Sequence, residues 1–389
     1  MIKFTLDNST RIHFGQGQVA QLAREIGEEQ KVLFLYGGGS IKKNGIYDQV
    51  MAQLNHSQLI EFAGVQPNPR YDHLIDAVTL CKQDNIGLVL AVGGGSVIDA
   101  AKFIAAGACY QGDPWDLFTG KAKVADCLEI GTILTLPATG SESNAGTVIT
   151  RDKDKFSLVD DKLRPKFAIL DPSFSLSLPP KQVANGVVDA FVHVLEQYVT
   201  QEQETKHPVA NKVQDRFAEG LLLTLIEEGM TAKNHPQDMN ARSNIMWAAN
   251  QALNGMIGAG VPHDWSTHLI GHELTALYDI DHACTLSIML PAVWKARKSE
   301  KSTKLIQYAE RVWGVNDCTI DEKLDAAIHK TEEFFVEMGL PIRLSDVGLG
   351  AKAVDAVLEQ LSMHGMTAIG EDRGIDLEKS RQILLLALD

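Results

Sequence analysis

From Lys31 to Leu170 the chain returns to one theme: a short, continuously apolar run that stops at glycine or proline. The runs are "KVLFLYGGGS", "SQLIEFAGV", "IGLVLAVGGGS", "EIGTILTLPATGSES" and "KFAILDP", with helical stretches such as "RYDHLIDAVTLCKQDN" and "VIDAAKFIAAGA" between them. A strand that is apolar on both sides must be covered on both faces, and interleaved helices supply the cover. The pattern therefore predicts a parallel sheet packed between helices. Ahead of it, "IKFTL" and "RIHFG" alternate around the turn-like "DNST", which predicts a hairpin.

After "LPPKQVANGVVDAFVHVLEQYVT" the character changes, and helical periodicity dominates to the end, as in "VQDRFAEGLLLTLIEEGM" and "DEKLDAAIHKTEEFFVEMG". The boundary is placed at Pro179–Pro180, giving residues 1–179 as an α/β domain and 180–389 as an all-helical one. The formal net charge of −14 argues against nucleic acid or an anionic membrane as partner. No apolar run is long enough to span a bilayer, and the first residues lack a secretory signal's apolar core. Five cysteines, an odd number with no CxxC spacing, read as reduced thiols in a cytoplasmic protein.

Two of the strands end in glycines, at Gly37-Gly38-Gly39-Ser40 and at Gly93-Gly94-Gly95-Ser96. Glycine lets a backbone approach a ligand closely, and the second loop runs straight into a helix whose free N–H groups favour phosphate. Neither loop is a GxGxxG or Walker A motif, and the plainer reading is a tight strand-to-helix turn. Two such loops at strand ends of one sheet point to a nucleotide crevice. "LPATGSESN" adds hydroxyl and amide donors at a third strand end.

The metal-binding signal lies in the second half. Asp189 and His193 stand at i, i+4 in the otherwise apolar "GVVDAFVHVLE", so they share a helix face. Four of the chain's twelve histidines gather in "VPHDWSTHLIGHELTALYDIDHA": His263, His268, His272 and His282. A buried carboxylate is costly unless paired or bound to a cation. One Asp with three His makes a site for a first-row divalent metal with an opening for substrate. Asp189, His193, His268, His272 and His282 are five candidates for a four-ligand set, and spacing alone does not say which is spare. Satisfied core histidines are the plainer alternative.

Taken together, "GGGSVIDAAK", "TLPATGSES", "AILDP", "DAFVHVLE" and "HLIGHELTALYDIDHA" are diagnostic. Across essentially its whole length the chain resembles the iron-containing (group III) alcohol dehydrogenases, within them the NADPH-dependent aldehyde reductase and butanol dehydrogenase branch. The resemblance implies a dehydroquinate synthase-like dinucleotide-binding domain, an all-helical domain after it, and an active site in the cleft between. It implies NADP(H) and one divalent metal, zinc or iron, as cofactors. Carried over by position, the metal ligands are Asp189, His193, His268 and His282. His272 then lies beside the nicotinamide as the catalytic group, and His263 is a bystander. Gly94, Gly95, Ser96 and Asp99 fall on the pyrophosphate loop, and Thr135, Thr139, Ser141, Asn144 and Gly146 on the nicotinamide loop. Gly37, Gly38, Gly39, Ser40 and Asn68 are also assigned to the cofactor. Lys155 falls where a family lysine reaches the cofactor, with Lys153 the other candidate. Phe174 stands where related reductases can carry a tyrosine.

The implied reaction is reversible hydride transfer between NADPH and a small-molecule aldehyde, giving a primary alcohol, with a homodimer as the assembly. NADPH is expected over NADH because the strand ending at Gly37 carries no Asp or Glu before Asp48, while Lys42 and Lys43 follow it. One rival is a dehydroquinate-synthase-like lyase, whose anionic substrate would need Lys or Arg in the helical half of the cleft; residues 244–282 hold none. The other is a non-enzymatic metal- or nucleotide-binding protein.

Overall fold

The computed structural model describes residues 2–27, 29–54, 58–200 and 211–388. The chain divides into two compact units. One is Asp7–Pro179 with Gln237–Asn250; the other is Met1–Leu6 with Pro180–Pro236 and Gln251–Asp389.

The first unit runs β1 (Arg11–Phe14), α1 (Leu22–Glu25), β2 (Lys31–Tyr36), α2 (Ser40–Lys43), α3 (Ile46–Gln53), β3 (Gln58–Phe62), α4 (Tyr71–Asp84), β4 (Leu88–Gly94), α5 (Gly95–Cys109), α6 (Trp115–Phe118), β5 (Glu129–Leu136), β6 (Gly146–Arg151), β7 (Asp154–Val159) and β8 (Phe167–Leu170). Six strands form a parallel sheet in the order β1-β8-β5-β4-β2-β3. Alternate residues of each strand enter opposite cores. Val32, Phe34, Leu90, Val92 and Ile169 face one layer, and Leu33, Leu35, Val89, Ala91 and Leu170 face the other with Leu74, Ile98 and Ile104 of the covering helices. That double burial is why the strand sequences carry no polar alternation.

The strand order sets the ligand crevice. From β2 the chain crosses outward to β3; from β4 it crosses the opposite way to β5. β2 and β4 are neighbours, so their carboxyl ends flank the topological switch point. Both glycine loops begin there.

Two local features differ from the sequence reading. Residues 2–10 form no strand, and β1 pairs in parallel with β8 instead of closing a hairpin. The open edge of β8 offers β1 a ladder, whereas an isolated hairpin is marginal in water. Thr10 Oγ1 donates to Pro165 O at 2.7 Å, fixing the entry to that pairing. An antiparallel hairpin does exist, but it joins β6 to β7.

The second unit contains α7 (Pro180–Tyr198) and α8 (Lys212–Asn234). Next comes α9 (Met239–Ala252), whose residues through Asn250 belong to the first unit. It continues with α10 (Ser266–Tyr278), α11 (His282–Ala296), α12 (Ser302–Arg311), α13 (Ile320–Met338), α14 (Ala351–Met363), the small antiparallel pair β9 (Ala368–Ile369) and β10 (Ile375–Asp376), and α15 (Leu377–Leu386). Helix boundaries follow local chemistry: Pro180 opens α7, and Thr319 and Glu322 make a reciprocal capping box on α13. α7 is central, and every residue from Val187 to Tyr198 is buried. A helix that is apolar all round leaves its few polar side chains no route to water, so Asp189, His193 and Glu196 must find partners within the protein.

Candidate active site

Asp189, His193 and Glu196 follow one another at i, i+4 and i+7 along α7 and therefore share a face. α10 brings His268 and His272, and His282 is the first residue of α11. Asp189 Oδ1 lies 3.5 Å from His193 Nδ1, 3.9 Å from His268 Nε2 and 3.9 Å from His282 Nε2. The Nε2 atoms of His193 and His268 are 3.0 Å apart, with their rings stacked at 4.6 Å. A tetrahedral metal bound to N and O donors at about 2.0–2.2 Å sets its donors roughly 3.3–3.6 Å apart. Asp189, His193 and His268 each offer one ligand atom within 4.8 Å of the others, so these three fit a single divalent ion, and His282 Nε2 stands next to the Asp189 carboxylate. Of the four side chains, that of His282 is 23% exposed while Asp189, His193 and His268 are at 10% or less. The cluster is therefore most open to solvent at His282.

His272 stands one turn along α10 from His268, its ring 6.2 Å from that of His268 and 5.3 Å from that of His282. His263 is set apart, with Nε2 at 2.9 Å from Gly258 O.

Glu196 is the residue that the sequence reading missed. Its Oε2 is hydrogen bonded to His268 Nδ1, and Oε1 accepts from the amides of Thr267 at 2.8 Å and His268 at 3.4 Å. Trp265, the residue just before α10, has a left-handed backbone (φ 58°) and gives the helix no side-chain cap. The α7 carboxyl fills that role and orients a ring with the same group. Burial, reinforced by Asp264, pushes the Glu196 carboxyl well above its ordinary range despite those amides and Lys301. The Nδ1 side of His268 is thus held by Glu196, and Nε2 is left facing the cluster. Behind it, Lys301 Nζ, fully buried, bridges Asp264 Oδ2 at 2.8 Å, Glu371 Oε1 at 2.7 Å and Val199 O at 3.0 Å. The signal in the sequence was the third polar residue of the same helical face.

The α/β unit holds the other predicted residues. α5 begins at Gly95 with no side-chain cap, leaving its amides directed at the crevice. A side chain at Gly95 would put Cβ 2.6 Å from Thr139 Oγ1, whereas Gly38 has open space around it. The first glycine serves close packing; the second leaves room for a ligand. Ser40 and Lys43 are exposed at the start and end of α2. Lys42 pairs with Glu61 at 3.3 Å and lies over the rings of Tyr47 and Tyr36, so its charge is already engaged by groups of the same unit.

Asp99 is bonded to the loop that follows β5 and to β6: Oδ1 accepts from Ser141 Oγ at 2.5 Å and Oδ2 from Val148 N at 3.0 Å. Asn144 Nδ2 donates to Thr139 O at 3.1 Å, and its Oδ1 accepts from Gly146 N at 3.0 Å. Thr135 lies at the half-buried end of β5, and Ser96 is half-buried in the first turn of α5. Lys155 is buried on β7 and donates to Asn68 Oδ1 at 3.0 Å, while Lys153 is exposed in the turn before it. Phe174 is 3% exposed and packs into the core on one face of the sheet.

Comparison with known proteins agrees with this arrangement. Residues 9–172 match the iron-containing alcohol dehydrogenase family, and residues 183–383 match its C-terminal part, the Fe-containing alcohol dehydrogenase family, C-terminal. The chain is 51% identical to the NADPH-dependent aldehyde reductase YqhD of Escherichia coli, covering 98% of this chain and 99% of that one. It is 40% identical to a probable NADH-dependent butanol dehydrogenase 1 of Bacillus subtilis over the whole of both chains. The crystal structure of E. coli YqhD superposes with a TM-score of 0.96 at 51% identity, covering 99% of each chain. That of NADH-dependent butanol dehydrogenase A from Thermotoga maritima gives 0.94 at 35% identity, covering 100% of this chain and 99% of that one. Neither the lyase nor a non-enzymatic binding protein is favoured by these matches. With both halves of the chain matched and a relative 51% identical over nearly its whole length, the chain belongs to the iron-containing alcohol dehydrogenase family.

Proposed function

We propose that this protein is a metal-dependent, NADPH-linked aldehyde reductase that interconverts a small aldehyde and its primary alcohol. The observation that carries the reading is the buried group of Asp189, His193 and His268, whose ligand atoms lie within 4.8 Å of one another, with His282 Nε2 at 3.9 Å from Asp189 Oδ1. These four would hold zinc or iron, since a His₃Asp set accepts either. When bound, the metal supplies Lewis-acid polarisation of the carbonyl oxygen, and the nicotinamide supplies hydride.

The protein's own residues do the rest. Glu196 fixes the tautomer and tilt of His268. His272 delivers a proton to the product oxygen, because imidazole titrates near neutral pH. The helical domain, residues 180–389, serves the metal, and the α/β domain, residues 1–179, serves the dinucleotide. The amides at the start of α5 bind pyrophosphate, the Thr139–Gly146 loop holds the nicotinamide half, and Lys155 with Asn68 contacts the cofactor. Gly38 and Ser40 admit a 2′-phosphate. The 51% identical relative is named for NADPH, which supports NADPH over NADH, although the two butanol dehydrogenases compared above are named for NADH.

No helix among the described residues is long and apolar enough to cross a membrane. All five cysteines are free, in keeping with a cytoplasmic protein. Ile2, Phe4 and Leu6 are 48%, 50% and 41% exposed in the segment ahead of β1. That apolar edge supports a homodimer in which a second copy covers it. The deciding experiment is steady-state oxidation of NADPH and NADH across a panel of aldehydes, with metal analysis of the same sample. Absence of turnover by metal-loaded protein with every aldehyde would sink the reading.

A further inference from the structure

Lys102 is the one lysine of α5, and its side chain is entirely buried. Its Nζ donates to Gly146 O at 2.6 Å, Ser141 Oγ at 2.9 Å, Asn144 Oδ1 at 2.9 Å and Asn144 O at 3.0 Å. Those acceptors belong to the loop before β6 and to the first residue of that strand. One turn earlier on the same helix, the Asp99 carboxylate takes the Ser141 hydroxyl and the Val148 amide, while its carbonyl takes the Thr147 hydroxyl at 2.9 Å. A single helix whose first residues face the phosphate site thus grips residues 141–148 through both charges of an i, i+3 pair.

We propose that Lys102 is a positioning residue for the dinucleotide, holding the nicotinamide loop in its binding shape from behind without touching the cofactor. The proposal rests on the dinucleotide-binding role given to this loop above. The grip depends on charge. An ammonium has three N–H groups for four acceptors. A neutral amine has two, and it turns a lone pair toward a carbonyl oxygen.

Burial lowers the Lys102 pKa to about 8, against the pull of Asp99 and Glu142; Arg164 pushes the same way as burial. Glu142 is itself buried and hydrogen bonded to Asn250, and Arg164 donates to Ser143 O at 2.8 Å. The remaining titratable neighbour, Cys127, is pushed by burial to about 12 and stays neutral. Raising the pH through about 8 therefore removes the proton from Lys102 while Cys127 keeps its own. Affinity for the dinucleotide should weaken as it does so.

The test is NADPH binding to the full-length protein without aldehyde, followed by calorimetry from pH 7 to 9.5, with circular dichroism confirming the fold at each pH. In the unmodified protein the Kd should rise by about tenfold per pH unit above 8, as expected for loss of one required proton. Lys102→Met should bind at least tenfold more weakly at pH 7 and show no alkaline slope. If that variant does not fold, Asp99→Asn with Lys102→Met removes both buried charges and should show the same weak, flat profile. A constant Kd up to pH 9.5 in the unmodified protein would overturn the proposal, as would a folded Lys102→Met that keeps the alkaline slope. Failure of the unmodified protein to bind either nucleotide at pH 7 would instead overturn the functional reading, and this proposal with it.

Discussion

Glu196 and His268 are seventy-two positions apart in sequence, yet they share a hydrogen bond at the Nδ1 side of the imidazole. The opposite nitrogen of the same ring faces His193 at 3.0 Å. One side chain is thus held from behind and presented in front, the arrangement that fixes tautomer and ring tilt in histidine metal sites. Glu196→Gln keeps the shape but swaps an acceptor that can carry negative charge for a neutral amide. Affinity for the divalent ion should fall by roughly 10–100-fold. A chelator-competition titration would measure it, and unchanged affinity would remove Glu196 from the metal site.

His268→Ala and His272→Ala should part company. The first removes a donor from the cluster and should cost most of the metal and nearly all activity. The second should leave the metal in place and lower kcat by about 10²-fold. Metal content by mass spectrometry beside kcat distinguishes them. Parallel loss of metal and activity in His272→Ala would make that residue a ligand.

Gly38 has open space where a side chain would go. Gly38→Asp should place a carboxylate near the site proposed for a 2′-phosphate and repel it. The kcat/KM for NADPH should then drop at least tenfold more than that for NADH. An equal loss with both would place the adenosine end elsewhere.

Glu219 supplies the pH prediction. Burial tends to raise its pKa, but hydrogen bonds from Arg311, Arg216 and Tyr198 outweigh that and hold the carboxyl below its ordinary range. A carboxyl depressed in the folded state adds stability above its unfolded pKa, near 4.5, and loses it as the pH falls through the lower folded value. Glu219→Gln should therefore cost ~1–3 kcal/mol at pH 7, discounted because both arginines are partly exposed. That gap should close in acid below pH 4. Urea unfolding at several pH values checks it; a gap that persists in acid would assign the cost to packing.

Most of the parallel sheet was legible because double burial writes itself into sequence as unbroken apolar runs, such as Val32–Tyr36 and Leu88–Val92. The hairpin of β6 and β7 was not, because its turn is the charged pair Asp152-Lys153 and depends on Asp152 adopting φ 53°. Asp99 sits inside a loop-and-helix motif, yet which of its neighbours it bonds is decided by β6, some fifty residues on. Similarly, the absence of a carboxylate after Gly37 says nothing about Glu61, which β3 carries to the side of Lys42. Helical spacing located Asp189 and His193 as a pair. The same spacing extended one more turn reaches Glu196, whose partner on α10 no local pattern announces.

Gly95 leaves Thr139 the space that its own side chain would occupy. These two positions consequently cannot drift independently in a lineage or in a library. Alanine at 95 alone forces the threonine aside and disturbs a neighbouring loop, whereas alanine at 95 with glycine at 139 restores the room. Randomising either position separately would discard sequences that the paired search would keep, so an effort to recruit this crevice for another dinucleotide should vary both at once.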